Sequence, residues 1–132
     1  MRGMRMIEAS VHNKIINGKV VLWHYVEDLS NAVEWYSNIL GMKPTSNIDV
    51  AYFFNINENT KLAISNRFKV SESLPKSATL DLQSDDIFET HRILKEKGVQ
   101  VEKIENPIFN YHEFYFSDLE NNQIRVHGFV KE

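Results

Sequence analysis

The fold of this chain is decided by residues 19–41, which read KVVLWHYVEDLSNAVEWYSNILG. Residues 19–26 are apolar and rich in β-forming types, which predicts a strand buried on both faces. The next four residues, EDLS, supply acidic and hydroxyl side chains suited to begin a helix. Apolar residues then recur at helical spacing as far as Leu40, and Gly41 is placed to end the helix. The stretch therefore predicts a strand followed by an amphipathic helix.

The same order of elements returns in the second half of the chain. Residues 78–83 predict a strand and residues 84–86 a helix cap, and the helix after them ends at Gly98. Asp28 and Asp86 hold equivalent places in the two halves. Further strands are expected at 50–56 and 61–65 in the first half, and at 99–104, 113–116 and 123–130 in the second. The chain is therefore an internal repeat.

A single β-α-β-β-β unit has only one helix, so one face of its sheet stays bare. We therefore predict an α+β fold in which two βαβββ modules, about residues 19–66 and 78–130, form a curved mixed sheet around a cleft, with the helices outside. At 132 residues the chain is one domain long. That domain is assigned to residues 19–132, and residues 1–18 are expected to be an N-terminal arm or an extra strand. The cleft is the natural ligand site.

Composition excludes several kinds of site. The absence of cysteine rules out disulfides, thiolate metal sites and a cysteine nucleophile. A net charge of −3, with both signs mixed along the chain, argues against a nucleic-acid partner. Residues 1–6 have no apolar core of a secretory signal, and no apolar run approaches the ~18 residues of a membrane span. We expect a cytoplasmic protein that binds neither nucleic acid nor membrane.

Three pieces of the sequence resemble the vicinal oxygen chelate superfamily, which groups glyoxalases, bleomycin-resistance proteins and extradiol dioxygenases. They are the strand and helix start at 21–29, the second helix with Gly98 and Val99 at its end, and the closing hairpin at 116–124. The resemblance covers about residues 19–128, with the three pieces in the family's order and spacing. It implies paired modules, a fold of the kind predicted above and a homodimer.

The resemblance also implies four positions for metal ligands, which are His or Glu in the metal-dependent members. Here those positions hold Val21, Ala63, Thr79 and Arg125. None is a good ligand, and Arg125 places a positive charge where the cation would sit. His24 lies three residues past the first position, so strand alternation puts it on the helix-covered face. We therefore expect neither a metal nor a cofactor.

Strand alternation also selects the candidate ligand-binding residues. Six side chains are expected to face the cleft: Trp23, Tyr25, Thr79, Asp81, Arg125 and His127. The two aromatic residues also fit an ordinary core. An inward arginine needs an anion, a carboxylate or water, so Arg125 either binds an anionic ligand or pairs with Asp81. The catalytic residues are left open, with His127 beside Asp81 or Glu113 as a candidate acid–base pair.

Our first hypothesis for function is a metal-free protein that binds a small planar molecule, with an anionic group as the partner of Arg125. The alternative is an enzyme, either a metal-dependent lyase or oxygenase or a metal-independent acid–base catalyst. A third is an interaction domain without a small ligand. Five aromatic residues expected at edges and loops favour a homodimer interface: Tyr52, Phe53, Phe54, Phe109 and Tyr111.

Overall fold

The computed structural model describes residues 15–68 and 80–130. The first module consists of β1 (Val20–Tyr25), α1 (Leu29–Leu40), β2 (Ser46–Ile48), β3 (Ala51–Asn57) and β4 (Thr60–Ser65). The second module consists of β5 (Leu80–Gln83), α2 (Ile87–Glu96), β6 (Gln100–Val101), β7 (Glu105–Ile108), β8 (Tyr111–Ser117) and β9 (Gln123–Phe129). The α+β class and the repeated modules are confirmed.

Both helices begin at the predicted caps, and each ends within two residues of its predicted glycine. Asp28 accepts a hydrogen bond from the backbone N–H of Asn31 at 3.2 Å, and Asp86 accepts one from the N–H of Glu89 at 3.1 Å. Each carboxylate thus satisfies a donor that the helix itself leaves free. Gly41 follows α1 with a φ of 68°, in the left-handed region that disfavours a β-carbon.

Each module forms its own sheet. The first sheet has the order β1-β4-β3-β2 and the second the order β5-β9-β8-β6, with β7 also paired to β8. In both modules the first strand lies parallel to the last, β1 beside β4 and β5 beside β9, while the remaining pairs are antiparallel. The strand before each helix is therefore at the end of its sheet, next to the strand that completes the module.

The core-facing sides of both sheets pack into one hydrophobic core. It includes Phe54 and Leu62 from the first sheet and Phe114 and Ile124 from the second. Trp35 of α1 contacts Phe116 of β8, with ring centroids 6.4 Å apart. Helix α1 therefore contacts both sheets, a feature that the sequence did not predict.

The opposite side of each sheet points away from this core. We call this side of the first sheet, which carries Trp23, Tyr25, Phe53 and Lys61, the first open face. The corresponding side of the second sheet is the second open face. The second open face carries the following side chains: Asp81, Tyr111, Glu113, Tyr115, Arg125 and His127.

Strand β1 differs from its prediction. A strand buried on both faces was expected, but Val20, Val21, Leu22 and Trp23 are each between 39% and 50% exposed. Only His24 of this strand is fully buried. The reason is that β1 is the end strand of its sheet, and its first open face has no covering helix.

The irregular strands were also predicted less well. Strands β2 and β7 are short and were missed, and the strand expected at 99–104 is reduced to Gln100–Val101. Of the five aromatic residues predicted at edges and loops, Phe54 is wholly buried in the core, whereas Phe109 is 72% exposed. The arm predicted at residues 1–18 lies mostly outside the described residues.

The turn between β8 and β9 joins the two modules. Asp118, at the end of β8, accepts hydrogen bonds from the Tyr36 hydroxyl at 2.7 Å and the Asn122 amide at 2.9 Å. His24 Nε2 lies 3.2 Å from the same carboxylate oxygen. In the same turn, Glu120 accepts from the backbone N–H groups of residues 27 and 28, just before α1, at 2.7 and 2.9 Å. We call Asp118, His24 and Tyr36 the inter-module clasp.

Candidate ligand-binding site

The first open face presents a cluster of aromatic rings. Trp23 and Tyr25 are nearly parallel, with an interplanar angle of 12° and centroids 6.4 Å apart. Phe53 meets Trp23 edge-on at 5.7 Å. In the strand register Ala63 is paired with Trp23 on one side and with Phe53 on the other. Its small side chain leaves room for the two rings. Trp23 remains 39% exposed, so its ring offers a surface for stacking.

Cations border this aromatic surface. The Lys61 ammonium lies 5.9 Å from the centre of the Phe53 ring. Arg67 lies 4.9 Å from the ring of Phe68, and Phe68 in turn contacts Tyr25 edge-on at 5.4 Å. Cation–π attraction of this kind is favourable at exposed sites. The first open face therefore combines flat apolar rings with positive charge.

The second open face holds a compact polar cluster. Strands β5 and β9 place Asp81 directly opposite Arg125. The Asp81 carboxylate accepts from Arg125 Nη2 at 3.0 Å and Nε at 3.1 Å. Its other oxygen lies 2.6 Å from His127 Nδ1. The Arg125–Asp81 pair, one of the two alternatives left by the sequence, is thus present, and His127 shares the same carboxylate.

Aromatic and polar neighbours fix this cluster. Tyr111 stacks on His127 with centroids 5.8 Å apart, and its hydroxyl donates to Glu113 at 3.0 Å. Hydrogen bonding to Tyr115 and to Asp81 raises the pKa of Arg125, so the guanidinium stays charged. Desolvation, followed by the bond to Glu113, raises the pKa of Tyr111, so its phenol stays neutral. Glu113 was expected near His127, whereas Tyr111 and Tyr115 were missed as its neighbours, although the period-two alternation of β8 places them on the same face.

Two hollows adjoin these residues. One of about 780 Å³ lies on the second open face, with Glu113, Tyr115 and Gln123 in its wall. Another of about 610 Å³ lies at the junction of the modules, where Leu22, Leu62 and Leu80 line it and Asp81 stands at its edge. Ligand cavities are commonly of this size. We favour the open face because the charged and aromatic side chains converge there.

The metal positions of the resemblance do not fit a cation. Val21 and Ala63 lie on the first open face and Arg125 on the second, and none has a lone pair to offer. Thr79 lies outside the described residues. Within residues 15–68 and 80–130, no group of three or more His, Asp or Glu side chains is arranged to hold a metal ion. His24 is taken up by the inter-module clasp.

Comparison with known proteins agrees with this architecture. A sequence profile described as "Glyoxalase/Bleomycin resistance protein/Dioxygenase superfamily" matches residues 20–126. The chain belongs to this superfamily. No curated protein matches the sequence. No helix of the described residues is long and apolar enough to cross a membrane.

Solved structures of the superfamily share the fold at low sequence identity. TnmS3, an antibiotic binding protein from a Streptomyces species, has a TM-score of 0.70 and 21% identity over 89% of this chain and 100% of its own. The lactoylglutathione lyase of Agrobacterium tumefaciens has a TM-score of 0.69 and 16% identity, over 87% and 96%. FosX, a fosfomycin resistance protein from Listeria monocytogenes, has a TM-score of 0.67 and 19% identity, over 88% and 96%. At these identities the likeness shows the fold alone.

Proposed function

We propose that this protein is a metal-free, cytoplasmic binding protein for a planar small molecule, and that it acts as a homodimer. The observation that carries the proposal is the pair of open faces. One is aromatic and bordered by cations, and the other is polar around Asp81. Among the superfamily's solved members, TnmS3 is an antibiotic binding protein and FosX a fosfomycin resistance protein, which fits a role in binding small molecules.

The placement of the two open faces supports the proposed homodimer. Both sheets turn their other sides toward one core, so within a chain the open faces point away from each other. A second copy brings the first open face of one subunit against the second open face of its partner. Strands β1 and β5 stand at the ends of their sheets, where further pairing is available. Such a dimer has two equivalent clefts.

The cleft suits a flat ligand with one polar end. The ring system stacks on Trp23 and Tyr25, and a carboxylate or carbonyl oxygen accepts a hydrogen bond from Arg125. Because Asp81 already balances the charge of Arg125, the cluster accepts a neutral carbonyl as well as an anion. Thr79, Asp81 and His127 complete the set of proposed ligand-binding residues. Stacking and a charge-assisted bond each contribute about 1 kcal/mol or more when desolvated.

A ligand screen tests the proposal. Saturation-transfer NMR with benzoate, naphthoate and anthraquinone carboxylate identifies a binder, and tryptophan fluorescence then measures its affinity. We expect Trp23→Ala and Arg125→Ala each to weaken binding by about fivefold or more, equivalent to about 1 kcal/mol. Arg92→Ala is the control for loss of an exposed arginine, and Trp35→Phe separates the second tryptophan's signal. An unchanged affinity in Arg125→Ala would leave Arg125 as a purely structural partner of Asp81.

Mixing the two weakened variants tests the shared cleft. If Trp23 and Arg125 come from different subunits, neither Trp23→Ala nor Arg125→Ala alone forms an intact cleft. After subunit exchange, half of the dimers are mixed and each regains one intact cleft, which restores about a quarter of the wild-type sites. Light scattering at micromolar concentration measures the oligomeric state. A monomer, or a mixture that restores no binding, contradicts the shared cleft.

A further inference from the structure

One carboxylate on the second open face holds an imidazole and a guanidinium side by side. Asp81 lies 2.6 Å from His127 Nδ1 through one oxygen and 3.0 Å from Arg125 Nη2 through the other. The two partners lie on the same strand, two residues apart, and therefore on the same side of the sheet. A single acidic side chain thus fixes the separation of a base and a cation.

The hydrogen bond from Nδ1 sets the chemical state of the histidine. In a neutral imidazole one nitrogen carries the proton and the other is an acceptor. The contact with Asp81 favours the proton on Nδ1, which leaves the lone pair on Nε2. Within residues 15–68 and 80–130, Nε2 has no hydrogen-bond partner, and 19% of the side chain is exposed. An oriented nitrogen base is therefore open to a bound molecule.

Neighbouring rings hold this base in place. Tyr111 stacks on the imidazole at an interplanar angle of 23°, and Phe129 packs edge-on at 5.9 Å. Glu113 lies directly opposite His127 in the β8–β9 register, but its carboxylate accepts from the Tyr111 hydroxyl. A base whose orientation is fixed before the substrate arrives avoids the entropic cost of ordering it.

We propose that Asp81, His127 and Arg125 form a metal-independent proton-transfer centre that interconverts the keto and enol forms of aromatic α-keto acids. This rests on the proposed function, because the same cleft must bind the aromatic ring and the carboxylate. The two open faces support this substrate class. The rings of the first open face suit stacking of an aromatic ring, and on the second open face Arg125 places a cation beside the base His127. Nothing in the comparisons assigns these three residues a role.

The chemical step needs no co-reactant. His127 Nε2 takes a proton from the carbon next to the keto group. The electron pair of the broken C–H bond becomes the C=C bond, and the electron pair of the C=O bond moves to oxygen. Arg125 donates a hydrogen bond to that oxygen as negative charge develops, the type of assistance that fixed donors give to an oxyanion. The imidazolium then returns the proton to oxygen, which gives the enol and restores the base.

Phenylpyruvate is the probe that tests this step. Ultraviolet absorbance follows its enol form, and proton NMR in heavy water follows exchange of its methylene protons. We expect the wild-type dimer to accelerate both, and His127→Gln to lower the rate by about 100-fold. Asp81→Asn should lower it on the order of tenfold or more, because the imidazole loses its orientation. His91→Gln is the matched control, since His91 lies on α2, bonded to the backbone of Glu102, and should keep the full rate.

Binding is measured beside catalysis in every variant. If phenylpyruvate binds and His127→Gln exchanges protons as fast as wild type, the proton-transfer centre is refuted while the binding function stands. If phenylpyruvate does not bind, the substrate class named here is wrong, whereas the binding function is decided separately by the carboxylate screen and by subunit mixing. Circular dichroism of His127→Gln confirms that a lost rate does not reflect unfolding.

Discussion

Substitution of Asp118 by alanine tests the inter-module clasp. The Asp118 side chain is fully buried and accepts bonds from the Tyr36 hydroxyl, the Asn122 amide and two backbone N–H groups of its own turn. Alanine removes all of these acceptors at once. Tyr36 and His24 keep each other as partners at 2.9 Å, so not every buried donor is stranded. Each donor left without a partner costs about 1–3 kcal/mol.

Three donors lose their acceptor, namely the Asn122 amide and two backbone N–H groups, and at about 1 kcal/mol each the expected loss is about 3 kcal/mol in the free energy of unfolding. For a domain of this length that corresponds to a fall of about 10 °C in the melting temperature. Urea denaturation followed by far-ultraviolet circular dichroism measures the loss. Asp49→Ala is the control, because Asp49 is exposed in the turn before β3 and its loss should change the free energy by no more than about 0.5 kcal/mol. A value for Asp118→Ala within about 1 kcal/mol of wild type would refute the clasp as a major source of stability.

Three further predictions concern stability. Burial opposes ionisation of Asp118, but hydrogen bonds from His24, Tyr36 and Asn122 outweigh it and lower its pKa from 3.8 to about 2. The folded pKa lies below the unfolded one, so this stabilisation is complete above pH 3.8 and is lost as the pH falls toward 2. If the stability of Asp118→Asn depends on pH over that range in the same way as that of the wild type, the prediction is wrong. Asp86→Ala should lower the free energy of unfolding by about 1 kcal/mol through loss of the helix cap, as measured by urea denaturation; a change near zero rules out the cap. Gly128→Ala should lower the free energy of unfolding by about 1–3 kcal/mol, because its β-carbon would lie 2.9 Å from the Ser84 carbonyl oxygen. Thermal melts measure the loss, and Gly18→Ala is the comparison, because an alanine there has a strained positive φ but no close neighbour.

The repeat made the fold predictable. Each half carries a strand, an acidic cap, a helix and a terminating glycine within a short stretch, and these local signals do not depend on distant residues. Alternation along β1 correctly separated His24 on the core side from Trp23 and Tyr25 on the open face. It also placed Asp81 beside Arg125, since two parallel strands with matched faces leave little choice of register. That these residues bind a ligand stays a prediction.

Contacts between distant parts of the chain were not predictable in the same way. The clasp joins residues 94 positions apart, His24 and Asp118, and nothing local in the sequence pairs a strand histidine with a turn carboxylate. The burial of Phe54 depends on which face of β3 turns toward the core, and that is settled only by packing. Strands β2 and β7 are short enough that neighbouring strands, rather than their own residues, decide their conformation.

Strand alternation also explains how Val21, Ala63 and Arg125 can occupy positions where the resemblance implies metal ligands without a change of fold. Stabilising contacts, including the clasp and the aromatic core, lie on one side of the strands. The described positions where the resemblance implies metal ligands, Val21, Ala63 and Arg125, lie on the other side, where Val21 is exposed and Arg125 is partly so. A different side chain at such a position leaves the core-facing residues unchanged, because successive side chains of a strand lie on opposite sides of the sheet. A charge on that side must be balanced within the open face, and Asp81 does this for Arg125. The charge balance and side-chain arrangement of the second open face therefore depend on Asp81, whose carboxylate contacts both Arg125 and His127.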